Sequence, residues 1–245
     1  MKNRLFLIVI FLALQTGCSG EIIKTVPEQQ AKQVISALMQ ARERIHAIHI
    51  RMRAAVYSHG KARKGRMEVF ARGGNLRAEI WSPTDNLLDL TVVCNDHFIH
   101  LIPDKSICET GPVSILDFLP IALPYPNIPT FFAGLGPDPK NAMVFHVSDS
   151  FLLKFPREQG HNNMKVALNP LRVFSYELSV SNKRYEVTQR RFKPAKDLLI
   201  PRWIRAETGD KLIQLKYKTI NVNPDLSADI FKCTCPENFQ VRRQK

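Results

Sequence analysis

The sequence predicts an α+β fold in which one large, curved antiparallel sheet, an unclosed half-barrel of about eleven strands, wraps around a helix and a proline-rich lid. Three observations lead to this prediction. Short runs of alternating apolar and polar residues recur along most of the chain, with Gly, Pro, Asn and Asp turn pairs between them. One long segment near the start has helical periodicity instead, and many prolines interrupt one apolar stretch in the middle.

The first residues predict an exported lipoprotein. A positively charged start and an uncharged apolar run over 5–14 precede Cys18, which follows a glycine. This run is too short to span a membrane but has the layout of a signal peptide. The cysteine resembles that of a bacterial lipobox, although Gln15 stands where that pattern normally has leucine. We predict a signal over 1–17, lipid attachment at Cys18 and a tether over 18–27; the alternative is an ordinary signal with a coincidental cysteine.

The sorting signal and the net charge narrow the expected partners. Ser19, in place of aspartate, resembles the enteric signal for anchoring at the inner face of the outer membrane. Removal of the signal lowers the net charge from +13 to +11, an excess that favours anionic partners. Predicted export argues against nucleic acid and leaves anionic lipid headgroups, lipopolysaccharide or peptidoglycan carboxylates as expected partners. The densest basic cluster, which could also be a simple solvated turn, lies at a predicted hairpin tip and consists of Lys61, Arg63, Lys64 and Arg66.

A helix followed directly by a strand is predicted near the start of the mature chain. From Glu28 to about His46, apolar residues recur at three- and four-residue steps, and Pro27 stands at the first turn. This amphipathic helix is expected to cover a sheet. From Ile48 to Val56 the period becomes two, which predicts a strand.

An antiparallel meander is predicted over residues 66–110. Its first runs alternate cleanly, so that Ala78 and Ile80 share one face of a strand. The runs Leu87 to Cys94 and His97 to Ile102 are almost continuously apolar. This pattern indicates either that both of their faces are covered or that one face lines a cavity.

The segment 112–139 is apolar but rich in proline, so it forms neither a regular strand nor a long helix. We predict a hydrophobic lid; the alternative is a buried connection between two halves of the sheet. The candidate lid residues are Leu116, Phe118, Leu119, Phe131 and Phe132. Beyond Ala142, alternation resumes in seven runs that complete the sheet.

Four cysteines follow Cys18, and in an oxidising compartment they permit two disulfides with three possible pairings. A bridge between Cys94 and Cys108 would join neighbouring strands of the meander. Cys233 and Cys235 are separated by one residue, a poor spacing for a bridge to each other on an extended chain. The pairing stays open at this stage.

The sequence shows no constellation typical of an enzyme. It has no G-x-S-x-G nucleophile motif, no H-E-x-x-H zinc motif and no glycine-rich phosphate loop. The pairs His46/His49 and His97/His100 are three residues apart, a spacing that points side chains to opposite faces of a strand. We therefore predict neither catalysis nor a cofactor nor a metal site.

The end of the chain carries a more specific pattern. A Pro-led strand, a Gly turn, an Asn-containing strand and an aromatic tail occur in the segments Ile200 to Ile204, Gly209-Asp210, Ile220 to Asn223, Asp229 to Phe231 and Pro236 to Val241. Together with the early strand Gly74 to Glu79 and its following Ser82-Pro83, this order resembles the LolA/LolB-like lipoprotein-carrier superfamily. Asn238 stands where that family usually has glycine. The likeness covers 28–241, which we predict to be one domain, with a basic tail over 242–245.

The resemblance implies an unclosed barrel whose apolar hollow accepts acyl chains. Each buried CH₂ contributes about 0.8 kcal/mol, so a lipid tail needs such a hollow to cross water. The expected lining consists of Ile50, Met52, Ile80, Leu88, Leu90, Phe98 and Leu101. Because the chain itself has a lipid-attachment site, the expected role is that of a LolB-like acceptor for acylated lipoproteins or membrane lipids. The alternative is a non-catalytic scaffold lipoprotein of the same fold, with a filled core.

Overall fold

A computed structural model describes residues 23–59, 61–113, 128–156, 163–180, 183–209 and 211–244. They contain helices α1 (Glu28–Glu43) and α2 (Ile128–Phe132) and short 3-10 turns at Pro103–Lys105 and Ala228–Phe231. The strands are β1 (Ile23–Thr25), β2 (Ala47–Ser58), β3 (Lys61–Arg72), β4 (Asn75–Trp81), β5 (Leu87–Cys94), β6 (His97–Ile102), β7 (Ile107–Pro112), β8 (Met143–Val147), β9 (Ser150–Lys154), β10 (Asn163–Leu168), β11 (Leu171–Val180), β12 (Lys183–Arg190), β13 (Lys193–Ala195), β14 (Leu198–Ile200), β15 (Trp203–Thr208), β16 (Lys211–Val222) and β17 (Gln240–Arg243).

Fifteen strands form one open sheet in the order β1-β8-β9-β10-β11-β12-β15-β16-β2-β3-β4-β5-β6-β7-β17, and β13 and β14 form a separate hairpin. Neighbours are antiparallel except for the parallel pair of β7 and β17. The meander β2 to β7 joins the second half of the chain where β2 pairs with β16. The predicted unclosed sheet is confirmed, but its strand number was wrong.

The difference in strand number comes partly from the two edges. β1 lies inside the predicted tether and pairs with β8, and β17 extends into the predicted basic tail. Each has only three or four mostly polar residues, too few to show an alternation in the sequence. β7 and β8, which follow one another in the chain, lie near opposite ends of the sheet.

The sheet separates two unlike faces. One face, which we call the concave face, carries alternate residues of β2 such as Ile48, Ile50 and Met52, and it packs against α1 and α2 in one continuous core. The opposite, convex face is partly covered by residues 223–239, which contribute Phe231 and Phe239 to two smaller clusters. The predicted alternation of β2 is confirmed, because Arg51 and Arg53 between its buried residues are exposed.

Helix α1 covers the concave face with the stripe that its sequence predicts. Val34, Leu38 and Ala41 are buried on that side, while the first turn is mostly exposed and includes an ion pair between Glu28 and Lys32. Among the described residues, no helix has the length and apolarity needed to cross a membrane.

Candidate functional site

The concave face is an apolar floor beneath a helical cover. Ile50 pairs with Val69 and Met52 pairs with Met67 on neighbouring strands, so these four side chains point to the same side, and all are buried. Leu38 of α1 belongs to the same core and is fully buried. The floor and its cover therefore meet through side-chain packing.

Helix α1 is fixed to the sheet at its C-terminal end. The side-chain amide of Asn223 donates to the carbonyl of Arg44 at 2.7 Å, and its oxygen accepts from the backbone N–H groups of His46 and Ala47 at 2.8 and 3.2 Å. Asn223 has a φ of 51°, a left-handed conformation that asparagine tolerates well. One residue after β16 thus closes the corner between α1 and β2.

A buried arginine joins α1 to the segment after α2. Arg42 Nη1 donates to the carbonyl oxygen of Gly136 at 2.7 Å. Burial lowers the pKa of Arg42, while the charge of nearby Asp138 acts in the opposite direction. A second hydrogen bond holds α2 to the floor, because the Tyr217 hydroxyl donates to the carbonyl oxygen of Phe132 at 3.0 Å. The first contact therefore joins two parts of the cover, and the second joins the cover to the floor.

Two polar side chains lie buried under the segment that follows α2. The Tyr176 hydroxyl and both amide atoms of Gln189 have no hydrogen-bond partner among the described residues, and each residue is only 2% exposed. Burial raises the pKa of Tyr176 well above its ordinary value. A Cβ added at Gly134 would lie 2.5 Å from Gln189 Oε1, and one at Gly136 would lie 3.2 Å from the Tyr176 ring, so these glycines allow a close approach. A buried polar group that lacks a hydrogen bond costs about 1–3 kcal/mol.

The predicted cavity residues do not share one surface. Ile50, Met52, Ile80 and Phe98 face the concave core. Leu90 and Leu101 instead belong to a cluster on the convex face, because the pairing of Ala78 with Thr91 turns Leu90 away from the concave core. Leu88 is 44% exposed and lies at a register shift between β4 and β5.

The candidate lid residues are only partly described. Phe131 and Phe132 lie in α2, are buried, and meet edge to face with ring centroids 5.3 Å apart. The rings of Phe131 and Tyr176 also meet edge to face, with centroids 6.5 Å apart. Leu116, Phe118 and Leu119 lie outside the described residues, as does Cys18. Residues 128–135, which belong to the described part of this segment, are buried against the concave core.

The disulfides differ from the bridge considered in the sequence. Cys94 bonds to Cys233 and Cys108 bonds to Cys235, so the bridge between Cys94 and Cys108 does not form. Cys94 and Cys108 lie on β5 and β7, which are separated by β6. Both bonds instead tie residues 233–235 across the convex face.

The predicted basic cluster divides between the two faces of β3. Met67 faces the concave core, and Lys64 and Arg66 lie an odd number of residues from it, so they are on the convex face. Lys61 and Arg63 lie an even number of residues from Met67 and are on the same side as Met67. All four side chains are exposed.

His100 contacts two carboxylates, an arrangement that the sequence did not predict. Its Nε2 lies 2.7 Å from Asp89 Oδ2, and its Nδ1 lies 3.4 Å from Glu109 Oε2. The hydrogen bond with Asp89 raises the pKa of His100.

Two of the contacts that fix the cover had visible signals in the sequence. Arg42 is a cation within the apolar stripe of the predicted helix, and Asn223 belongs to the Asn-containing strand of the family pattern. The pairing of Tyr217 with Phe132 spans 85 residues and had none. Within the described part of the chain, no group of three or more His, Cys, Asp or Glu residues could hold a metal ion.

Comparison with known proteins found solved structures of similar architecture. No family model and no curated protein sequence matches the chain. Among solved structures, a LolA superfamily protein from Nitrosomonas europaea is 15% identical, with a TM-score of 0.57 over 82% of this chain and 97% of that chain. A DUF1329 family protein from Desulfovibrio piger is 11% identical, with a TM-score of 0.59 over 85% of this chain and 98% of the other.

A third solved structure, a putative outer membrane lipoprotein-sorting protein domain from Vibrio parahaemolyticus, is 10% identical, with a TM-score of 0.56 over 82% of this chain and 97% of that chain. These likenesses confirm the resemblance to the LolA superfamily at the level of the fold. At such low identities they establish the architecture alone.

Proposed function

We propose that this protein is an envelope lipoprotein that binds acyl chains between the concave face and its helical cover. It acts as a LolB-like acceptor of acylated lipoproteins or membrane lipids and carries out no catalysis. Cys18 anchors it to the inner face of the outer membrane, and Leu116, Phe118 and Leu119 form the lid together with Phe131 and Phe132. The fold shared with LolA superfamily proteins supports this proposal.

The main support for the proposal is that α1 and α2 cover the apolar floor through side-chain packing. Leu38 of α1 and Phe132 of α2 are fully buried against it. Among the described residues, no disulfide joins either helix to the sheet. Acyl chains that displace the cover would replace its apolar contacts at about 0.8 kcal/mol for each buried CH₂.

The buried polar atoms favour this exchange. In the part of the chain that the structure describes, the Tyr176 hydroxyl and the Gln189 amide have no hydrogen-bond partner. An acylated cargo brings ester or amide groups, which can satisfy such atoms when the segment after α2 moves. Opening then removes a cost of about 1–3 kcal/mol for each unpaired group. Helix α1 would pivot about its C-terminal end, where Asn223 holds it.

The disulfides agree with the proposed location. Cys94 with Cys233 and Cys108 with Cys235 are bonded, and disulfides persist in oxidising compartments such as the bacterial periplasm. Export through the predicted signal would deliver the chain there.

The experiment compares two matched substitutions, one inside the concave core and one outside it. Ile80 is half-buried against the concave core, whereas Leu88 is 44% exposed and does not belong to that core. The chain with Cys18→Ser, purified from the periplasm without detergent, is examined by native mass spectrometry before and after incubation with a triacylated lipopeptide. We expect about one acyl ligand bound per chain. Ile80→Gln should weaken lipopeptide binding about tenfold, because an amide would face the acyl chain, and Leu88→Gln should leave it unchanged.

One observation favours the alternative function. Side chains of α1 and α2 already fill much of the concave core, as expected of a scaffold lipoprotein that carries no cargo. A chain that stays free of lipid after incubation with the lipopeptide would support the scaffold. Equal weakening by Ile80→Gln and Leu88→Gln would mean that lipid binds outside the concave face.

A further inference from the structure

Two adjoining recesses lie on the convex face, away from the helical cover. Their volumes are about 500 and 510 Å³, and both are lined by Arg66 and Lys218. The first also includes Arg53, Lys64 and Lys216, and the second includes Arg51. Because they share lining residues, we treat them as one groove, which we call the basic groove.

A β-bulge contributes to the groove. The register of β16 against β2 shifts between Tyr217 and Thr219, which pair with Met52 and Arg51. Lys218 is therefore the extra residue, and it lines both recesses. A bulge redirects a side chain in this way and is a recurrent feature of functional sites. Without it, strict alternation would place Lys218 and Thr219 on opposite faces of the strand.

The basic groove lies on a row of residues that runs across six neighbouring strands. Each residue pairs directly with the next, so all six side chains share the convex face. We call this the cation row; in order it consists of Arg190, Trp203, Lys216, Arg53, Arg66 and Trp81.

The centre of the cation row is electrostatically unfavourable on its own. Lys216, Arg53 and Arg66 stand directly opposite one another on β16, β2 and β3, and like charges at such positions destabilise a sheet. Nearby carboxylates do not neutralise all of them. Asp85 pairs with Arg66 at 2.8 Å, and Glu68 is engaged by Arg51 and His49.

Four cations of the groove remain without a carboxylate partner among the described residues: Arg53, Lys64, Lys216 and Lys218. Their convergence leaves a concentrated positive charge, which a bound anion would neutralise. Phosphate groups suit this arrangement because lysine and arginine both donate charge-assisted hydrogen bonds to phosphate oxygens.

Tryptophans border the cations on both sides. Trp81 and Trp203 are the two tryptophans of the chain, both are half-exposed, and both belong to the cation row. The Arg66 guanidinium lies 6.0 Å from the Trp81 ring centroid, and that of Arg190 lies 5.5 Å from the Trp203 centroid. Tryptophan is enriched where a protein meets the headgroup level of a membrane, and lysine and arginine there attract anionic lipids.

We propose that the basic groove binds the phosphate groups of anionic phospholipid headgroups and seats the convex face on a membrane surface, with Trp81 and Trp203 at the level of the headgroups. This site is independent of the proposed acyl site, because the two lie on opposite faces of the sheet. Bound headgroups therefore leave the concave face and its cover free.

The test measures binding of the Cys18→Ser chain, which lacks the proposed anchor, to vesicles of phosphatidylglycerol mixed with phosphatidylcholine. Tryptophan emission is a direct readout because both tryptophans lie in the cation row. We expect a blue shift with these vesicles and none with phosphatidylcholine alone. Lys216→Gln combined with Lys218→Gln should weaken binding about 25-fold, about fivefold for each lysine.

The matched control removes the same charge elsewhere. Lys193 and Lys196 are exposed on the β13–β14 hairpin and do not line the basic groove. Lys193→Gln with Lys196→Gln should change vesicle binding by less than about twofold, because a charge acts only within about a Debye length of the surface. Equal weakening by both pairs would overturn the proposal in favour of non-specific attraction.

Two further outcomes are decisive. Binding of glycerol phosphate or inorganic phosphate without binding to anionic vesicles would assign the groove to a soluble phosphate ligand and overturn the membrane role. Equal affinity for neutral and anionic vesicles would also overturn it. The groove variant should still bind the triacylated lipopeptide, so failure of the headgroup site and failure of the acyl site can be told apart.

Discussion

The two faces of the sheet are covered in different ways. On the concave face, α1 and α2 are held by apolar packing and by a few hydrogen bonds such as that of Arg42 to Gly136. On the convex face, residues 223–239 are held by two disulfides and are followed by β17, which pairs with β7. In the described structure, covalent bonds thus secure only one of the two covers.

This difference separates a permanent cover from one that can leave. Packing and hydrogen bonds can be exchanged for equivalent contacts with a ligand, whereas a disulfide persists until it is reduced. Hydrogen exchange should therefore distinguish the covers, since local opening follows the free energy of each cooperative unit. The proposed acyl site lies under the cover that has no disulfide.

The largest expected effect comes from damage to the concave core. Phe132 is fully buried between α2 and the floor, so Phe132→Ala should lower the free energy of unfolding by about 3–5 kcal/mol. Phe239 is only partly buried in the convex cluster, and Phe239→Ala should cost clearly less. Urea denaturation measures both. A larger loss for Phe239→Ala would contradict the assignment of the main core to the concave face.

The second effect concerns the covalent cover. Cys94→Ala with Cys233→Ala removes a bond between residues 139 positions apart, and the expected loss of stability is about 2–4 kcal/mol. Hydrogen exchange should accelerate in residues 226–239 while α1 keeps its protection, because that helix packs on the other face. If α1 lost protection to the same extent, the two covers would form one cooperative unit and the comparison would fail.

How far the sequence predicted this arrangement depends on the range of the interactions. The two-residue period placed Ile50, Met52 and Ile80 correctly, because alternation within a strand is local. The same rule shows the error in the predicted hollow: Phe98 and Leu101 are three residues apart and lie on opposite faces of β6. The continuous apolarity of β5 and β6 reflects coverage on both faces, one of the two explanations that the sequence left open.

Long-range features left weaker signals. The disulfide partners are 127 and 139 residues apart, and four cysteines allow three pairings that composition does not distinguish. The cation row joins residues from six strands, so it follows from the strand order, and the sequence showed only its local part at Lys64 and Arg66. The family pattern supplied Asn223 as a conspicuous residue, but its hydrogen bonds to the end of α1 required the fold.

The smallest expected effect is a pH-dependent contribution of His100 to the stability of the concave side. His100 pairs with Thr91 and Glu109 across β5 to β7 and shares the face of the concave core. Its hydrogen bond to Asp89 raises its pKa, so the protonated form is favoured in the folded state. The resulting stabilisation is fully present below the unfolded pKa near 6.5 and is lost as the pH rises through the higher folded pKa.

His100→Gln should therefore lower the free energy of unfolding by about 1 kcal/mol or less at pH 5.5, and the difference should shrink by pH 8.5. Urea denaturation of both chains across this range measures the trend. Exchange of α1 and of residues 226–239, followed at the same pH values, would show which cover responds. We expect the concave cover to respond, because Asp89 and His100 lie on that face and the disulfides fix the other cover independently of protonation. A difference that stays constant with pH would mean that His100 contributes through packing and not through its charge.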